Sequence, residues 1–414
     1  MKKMLMMAVM AAMATSAFAQ DNLVKQAQKE CTKGELEQAL KTLTPAISSS
    51  ETLDKAAAWN LMNEIQYQLF LKGQTTETEN KLKQTNTPFD TLGMHKAVVA
   101  ALEAAMKCDE FDRQPNEKGK VKIRFRKANQ ERYKVVRPNT INAGMFAYNH
   151  KDMAGAIKAW KLYIDSATDP LFEGVDMSND QYRSEIAYYV GLAAYQTKDY
   201  ATATKYAKLA AQDPKKEKDA NEILLFAQKD GCKTKEDSLA YLQTIKDLHA
   251  KDPGENRYFN LLMDYYSKPG RQKEMLAWCN EEITTNPNNK MVWALKGESE
   301  MNQSKWDDAI ASYKKAAEID PSFVQVIFNT GVCLNSKAIE MKDKLADKKT
   351  GNLTTANFNK IKAILTESLT YLEKVKELDP SREKVNWAYP LYQIYYSLGD
   401  KAKSAEMEKL LGNK

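Results

Sequence analysis

The chain has 414 residues, with 61 Lys and Arg against 55 Asp and Glu, and a formal net charge of +6. That is near balance for this length, so no whole-chain basic field argues for nucleic acid, and a mean hydropathy of −0.60 argues against membrane spans beyond the N-terminus. Only 16 Gly and 12 Pro leave few tight turns, which disfavours an all-β fold or a glycine-loop enzyme and favours helix.

At the N-terminus, Lys2 and Lys3 precede an apolar run from Met4 to Ala14, and Ala17 and Ala19 are small residues where a signal peptidase reads the chain. Residues 1–19 are therefore predicted to be a signal peptide cleaved before Gln20. The run is shorter than the ~20 residues that span a bilayer. The first cysteine after it is Cys31, too far on for a lipid anchor. The expectation is an exported, soluble, periplasmic protein with no transmembrane span in its mature form.

Residues 22–32 and 35–47, joined by Lys33 and Gly34, read as a first helical hairpin. Residues 54–71 and 91–108 read as a second, split by a polar insert over 73–90, so that 20–112 forms a divergent N-terminal region. The stretch 118–137 then concentrates Lys118, Lys120, Lys122, Arg124, Arg126, Lys127, Arg132, Lys134 and Arg137 against Glu131 alone. Alternation over 120–126 suits a strand or a nucleic-acid-binding ribbon, although export argues against nucleic acid. The competing readings are the solvated face of a helix leading into the next pair, and a contact for acidic partners or anionic headgroups.

From there to residue 321 the chain is punctuated by Asp169-Pro170, Asp213-Pro214, Asp252-Pro253, Asn286-Pro287 and Asp320-Pro321, and Asp379-Pro380 follows. Pro253, Pro287 and Pro321 are 34 residues apart. A fixed period with occasional insertions marks stacked repeats, and proline ends one helix and opens the next. Between the prolines, Trp293, Gly297, Ala309, Tyr313, Ala316 and Pro321 stand in the order of the tetratricopeptide pattern W-x2-L-G-x2-Y…A-x3-F-x2-A-x4-P, which this segment resembles. Lys296 and Glu300 depart from its leucine and tyrosine. Phe259, Leu262 and Tyr266 repeat part of the pattern before Pro287. So do Gly144, Ala156, Trp160 and Tyr163 before Pro170, Gly191, Ala203 and Ala207 before Pro214, and Gly331 and Leu334 before Pro380. The last region, 322–414, carries a Lys-rich insert over 341–357 that lengthens one hairpin, and ends in a capping pair through Trp387, Tyr392, Ala402 and Leu410.

The resemblance implies an all-α solenoid of helix-turn-helix repeats, about nine pairs in one continuous array after the signal peptide, with first helices lining an inner face where ligands dock. Mapped here, that face comprises Ile141, Met145 and Tyr148, then Tyr188, Leu192 and Tyr195, then Asn260 and Asp264. Glu298 and Met301 follow, then Phe328, Val332 and Asn335, and finally Trp387 and Leu391. Aromatic and apolar groups dominate its N-terminal half, and carboxylates its middle. Such a face suits an extended or helical segment of a partner protein, or else these side chains pack inside the superhelix. The lysine and asparagine set with which related chaperone-binding modules clamp a C-terminal carboxylate is absent.

Chemistry-bearing motifs are lacking. His95, His150 and His249 lie far apart in the repeat order, and no HExxH, Walker loop, G-x-G-x-x-G or G-x-S-x-G occurs. None of Cys31, Cys108, Cys232, Cys279 and Cys333 has CxxC spacing, and Cys279 and Cys333 read as small buried hydrophobes. The expected function is a non-enzymatic interaction scaffold of the cell envelope, without cofactor or metal. The alternative is an envelope protein that binds glycans or small solutes on the same kind of helices.

Overall fold

The computed structural model describes residues 19–115 and 119–412, so the predicted signal peptide falls outside the described residues except for Ala19. Among the described residues every regular element is helical. The chain divides into two compact units, residues 1–244 and 245–414. The first holds α1 (residues 19–32), α2 (Leu36–Ser48), α3 (Lys55–Lys83), α4 (Thr91–Asp112), α5 (Arg126–Val136), α6 (Asn139–Asn149), α7 (Met153–Ser166), a 3-10 turn at Pro170–Phe172, α8 (Arg183–Gln196), α9 (Tyr200–Ala210) and α10 (Glu217–Asp230). The division falls inside α11 (Lys235–Lys251). The second unit then holds α12 (Asn256–Tyr266), α13 (Gln272–Thr285), α14 (Lys290–Asn302), α15 (Trp306–Ile319), α16 (Val324–Leu345), α17 (Thr355–Leu378), α18 (Ala388–Leu398) and α19 (Lys401–Gly412).

The helices α3 with α4, α6 with α7, α8 with α9, α14 with α15, α16 with α17 and α18 with α19 pair as antiparallel hairpins that stack in chain order within each unit, the arrangement of an α-solenoid. Two kinds of turn alternate. Inside six hairpins one residue takes a left-handed conformation: Gly34, Gln84, Lys151, Lys198, Ser304 and Gly399. In each case the next amide reaches back five residues, as in Asp152 N to Ala147 O, Asp199 N to Ala194 O and Lys305 N to Glu300 O, all at 2.9 Å. This is the six-to-one bond of a Schellman ending, which satisfies a carbonyl the helix leaves open. The side chains of Asp152 and Asp199 then cap α7 and α9. Between hairpins stands the Asp/Asn-Pro turn. Asn286, Asp320 and Asp379 are the C-caps that follow α13, α15 and α17, with ψ of 73°, 95° and 62°, out of the helical region as a following proline demands.

The pattern residues play the parts expected of them. Ala309, Tyr313 and Ala316 are buried on α15 against α14, and Trp160 and Tyr163 of α7 are buried beneath α6. The departures from the pattern compensate one another. Glu300 is buried, accepts a 2.7 Å hydrogen bond from Ser312 Oγ, and has the Lys296 ammonium 3.9 Å away. Burial raises the Glu300 carboxyl above its ordinary value, against the Ser312 bond and the Lys296 charge, which lower it.

Three expectations are revised. The polar stretch 73–90 does not interrupt the second hairpin: α3 runs on to Lys83, and only 84–90 is loop. The basic segment forms no strand; Lys120, Lys122, Lys127 and Lys134 are exposed, as a solvated face expects, but the arginines are engaged. Residues 119–125 are irregular and α5 starts at Arg126, while Lys118 lies outside the described residues. Its arginines tie separate elements together. Arg124 bonds Asp54 and Asp112, Arg126 bonds Asp109 and Glu173, Arg132 bonds Glu64, and Arg137 bonds Asp180 and the Tyr163 carbonyl. Asp109 and Asp112 have side chains only 1% accessible; Arg124 neutralises Asp112, and Arg126 joins Arg113, the C-cap of α4 and 2.9 Å from Asp109, in neutralising Asp109. The segment is a strap, fastened further by Tyr133, fully buried with its hydroxyl donating to Asn63. Third, Trp387 and Leu391 are core residues rather than inner-face ones, and Trp387 Nε1 donates to the Asp379 carbonyl at 2.7 Å.

Candidate functional site

The predicted inner-face residues of the first unit lie on α6 and α8. Ile141 and Tyr148 are half-buried and pack around Trp160, whose Nε1 donates to the Ile141 carbonyl at 3.2 Å. The Tyr148 and Trp160 rings stand 5.8 Å apart, and Trp160 and Tyr189 also 5.8 Å, so the tyrosines are held in a tilted aromatic series. Met145 is exposed on the same helix. Tyr188, Leu192 and Tyr195 follow one another at helical spacing on α8 and pack over Ala207, Ile223 and Leu224 of the next two helices, keeping part of each side chain in solvent. The Tyr195 hydroxyl donates to Asp230 at 2.7 Å, and its ring stands 6.2 Å from Phe226, which is 45% exposed. Lys216 lies over the Tyr188 ring at 5.6 Å.

In the second unit the residues separate by environment. Asn260 and Asp264 of α12 and Glu298 of α14 are exposed, while Phe259, Leu262 and Leu295 on the same helices are buried, as an amphipathic helix requires. Met301, Phe328 and Val332 are half-buried; Met301 lies against the Tyr313 hydroxyl, with the sulfur 3.9 Å away. Asn335 is turned inward and donates to Gln393 Oε1 at 3.2 Å. Sequence reasoning missed Tyr389 and Tyr396, which are exposed on α18, and the half-buried Gln393 between them, in place of Trp387 and Leu391. Their i, i+4, i+7 spacing was the available signal. It also missed that His95 and His150 converge: Phe146 lies between them, with ring centroids 4.6 and 4.0 Å away. Burial lowers the His95 pKa, the Glu77 carboxylate opposes that, and His150 adds to it.

Among the described residues no cluster of three or more His, Cys, Asp or Glu could hold a metal ion, and no helix is long and apolar enough to cross a membrane. Cys31, Cys108, Cys279 and Cys333 are buried free thiols, the last three pushed up to about 12 by burial, and Cys232 is exposed.

The 34-residue period and the alternating turns define the class: an all-helical protein of tetratricopeptide-type repeats. No protein-family model matches the sequence. Over 92 residues it is 29% identical to the peroxisomal targeting signal receptor of Saccharomyces cerevisiae, a match that takes in 22% of this chain and only 14% of that receptor. Among solved structures it is similar to a TPR repeats protein from Bacteroides fragilis, with 18% identity over 63% of this chain and 98% of that one and a TM-score of 0.36. A tetratricopeptide repeat protein from Parabacteroides merdae is 13% identical over 76% of this chain and 98% of its own, with a TM-score of 0.22. The TPR domain of P58(IPK) is 13% identical over 95% and 98%, with a TM-score of 0.24.

Proposed function

We propose that this protein is a non-enzymatic scaffold of the cell envelope, exported to the periplasm, that holds an extended or helical segment of a partner protein against the first helices of its hairpins. The observation that carries the reading is the aromatic series of Tyr148, Tyr188, Tyr189 and Tyr195, whose rings are fixed by their neighbours yet incompletely covered. Rigid, half-wet aromatic surface loses little conformational entropy on binding and is where interface energy concentrates. The exposed Asn260, Asp264 and Glu298 offer the second unit's first helices a separate, acidic and polar set of contacts. Export is supported by the basic, apolar and small-residue order of residues 2–19.

The test is affinity capture from the native envelope by wild type, by Tyr148→Ala with Tyr195→Ala, and by Lys208→Ala as a surface control, with cell fractionation alongside. The reading expects recovery in the periplasmic fraction and a partner retained by wild type and control but lost by the double variant. Identical capture by all three, or a cytoplasmic location, defeats it.

A further inference from the structure

The hairpin of α16 and α17 is longer than the one before it, at 22 and 24 residues against 13 and 14 for α14 and α15. At 1.5 Å per residue the difference carries its tip about 14 Å beyond its neighbour's length. The tip is closed by a turn in which the Asp347 carboxylate accepts from the Lys349 and Thr350 amides. This is the Lys-rich insert of the sequence, and it forms a cleft on each side.

The two clefts differ in charge. On the α15 side the groups neutralise one another: Trp306 Nε1 donates to Glu340 at 2.5 Å, Lys337 pairs with Asp307, and Lys344 with Glu340. On the α18 side a cleft of about 550 Å3 is lined by Lys342 and Lys362 and by no carboxylate. Among the described residues neither lysine makes an ion pair. Its walls are apolar: Ile339 one turn before Lys342 on α16, Phe358 one turn before Lys362 on α17, and Tyr392 stacked on Tyr396 of α18. Ile339, Phe358 and Tyr396 remain 48%, 44% and 72% exposed.

We propose that this cleft binds an amphiphilic carboxylate, its apolar chain against Ile339, Phe358 and Tyr396 and its charged end between Lys342 and Lys362. The volume is that of a small-ligand site, and the pairing of apolar walls with a few charged groups is what such sites share. The polar groups on its floor are already engaged: Asn335 Nδ2 donates to Gln393 Oε1, and Gln393 Nε2 donates to the Tyr389 hydroxyl, both at 3.2 Å. Few donors and acceptors are left for a peptide backbone, whereas an alkyl chain asks for none. The proposal does not depend on the scaffold reading, because the ligand meets purified protein alone.

The probe is 11-(dansylamino)undecanoic acid, followed by fluorescence and displaced in turn by decanoate, by decanol and by an acidic leucine-containing peptide, all below micellar concentration. The expected result is saturable single-site binding, with decanol weaker than decanoate by roughly tenfold, the size of two partly exposed charge pairs acting together. Lys342→Ala with Lys362→Ala should erase that difference, Phe358→Ser should weaken both ligands, and Lys337→Ala in the opposite cleft should change nothing. Unaltered circular dichroism checks that the variants fold. No saturable binding, equal displacement by decanol and decanoate, an unaffected double-lysine variant, or a peptide that competes as well as decanoate overturns the proposal.

Discussion

Gly144 and Gly191 occupy the same place in successive first helices, yet the structure assigns their substitution by alanine opposite signs. A Cβ at Gly144 would lie 2.2 Å from Nε1, 2.3 Å from Cδ1 and 2.7 Å from Cε2 of Trp160. That indole is 1% exposed, wedged between Tyr148 and Tyr189, and bonded to the Ile141 carbonyl, so it cannot swing aside without opening the core. Overpacking of this severity costs about 3 kcal/mol, and losing the indole hydrogen bond about 1 more. The better helix propensity of alanine returns about 1, leaving Gly144→Ala destabilised by about 3 kcal/mol. At Gly191 the nearest atoms to a Cβ are Ala207 N at 3.4 Å and Ala203 O at 3.5 Å, which is ordinary contact. There the propensity gain survives, and Gly191→Ala should be stabilised by roughly 0.5–1 kcal/mol. Because the two glycines lie in neighbouring hairpins, the assay is hydrogen exchange by mass spectrometry over 139–166 and 183–210, which reads each hairpin separately. Equal protection in the two variants would refute the reasoning, since the Trp160 approach would then not be what Gly144 is for.

Other outcomes follow from the same contacts. Arg126→Ala strips the inaccessible Asp109 of bonds at 2.7 and 3.0 Å, leaving it the 2.9 Å bond from Arg113, and should destabilise by about 2 kcal/mol in urea unfolding, with part regained by adding Asp109→Asn. Lys198→Gly relieves a left-handed residue at φ 63° and should stabilise by up to about 1 kcal/mol, whereas Gly34→Ala at φ 80° should do the reverse in thermal melts. Ser312→Ala removes a hydrogen bond to the buried Glu300 carboxylate and should cost about 2 kcal/mol at pH 7. Because the folded state raises the Glu300 pKa, this group's contribution is fullest below its ordinary value of 4.5 and is lost as pH rises through the folded value. Glu300→Gln should therefore gain on wild type as pH climbs from 4 to 7, read from urea midpoints across that range.

Where the sequence could be read, the cause was local. Proline forces the residue before it out of the helix wherever it stands, so Asn286, Asp320 and Asp379 end helices for a reason written in the dipeptide. Gly297 and Tyr313 are likewise fixed by a repeat that brings one helix onto the next. The Schellman turns were hidden because four of the six left-handed positions hold Gln84, Lys151, Lys198 and Ser304, residue types that do not announce that conformation as glycine does. The arginine strap was hidden because its acids lie up to 70 residues away, and a run of like charge looks solvated until its partners are found. The inner face shows both sides of this. Helical periodicity put Asp264 and Asn335 on the same inward stripe, but whether a residue on that stripe stays wet depends on the next first helix. Gln393 of α18 covers Asn335, and the long interval between Pro321 and Pro380 conceals where α18 begins. Register errors at Trp387 and Leu391 have the same origin. A repeat code fixes which side of a helix faces inward; the length of each insertion decides what, if anything, lies across from it. Binding surface in this protein is therefore to be sought where insertions break the 34-residue period, as the lengthened α16–α17 hairpin does, as much as where the period is kept.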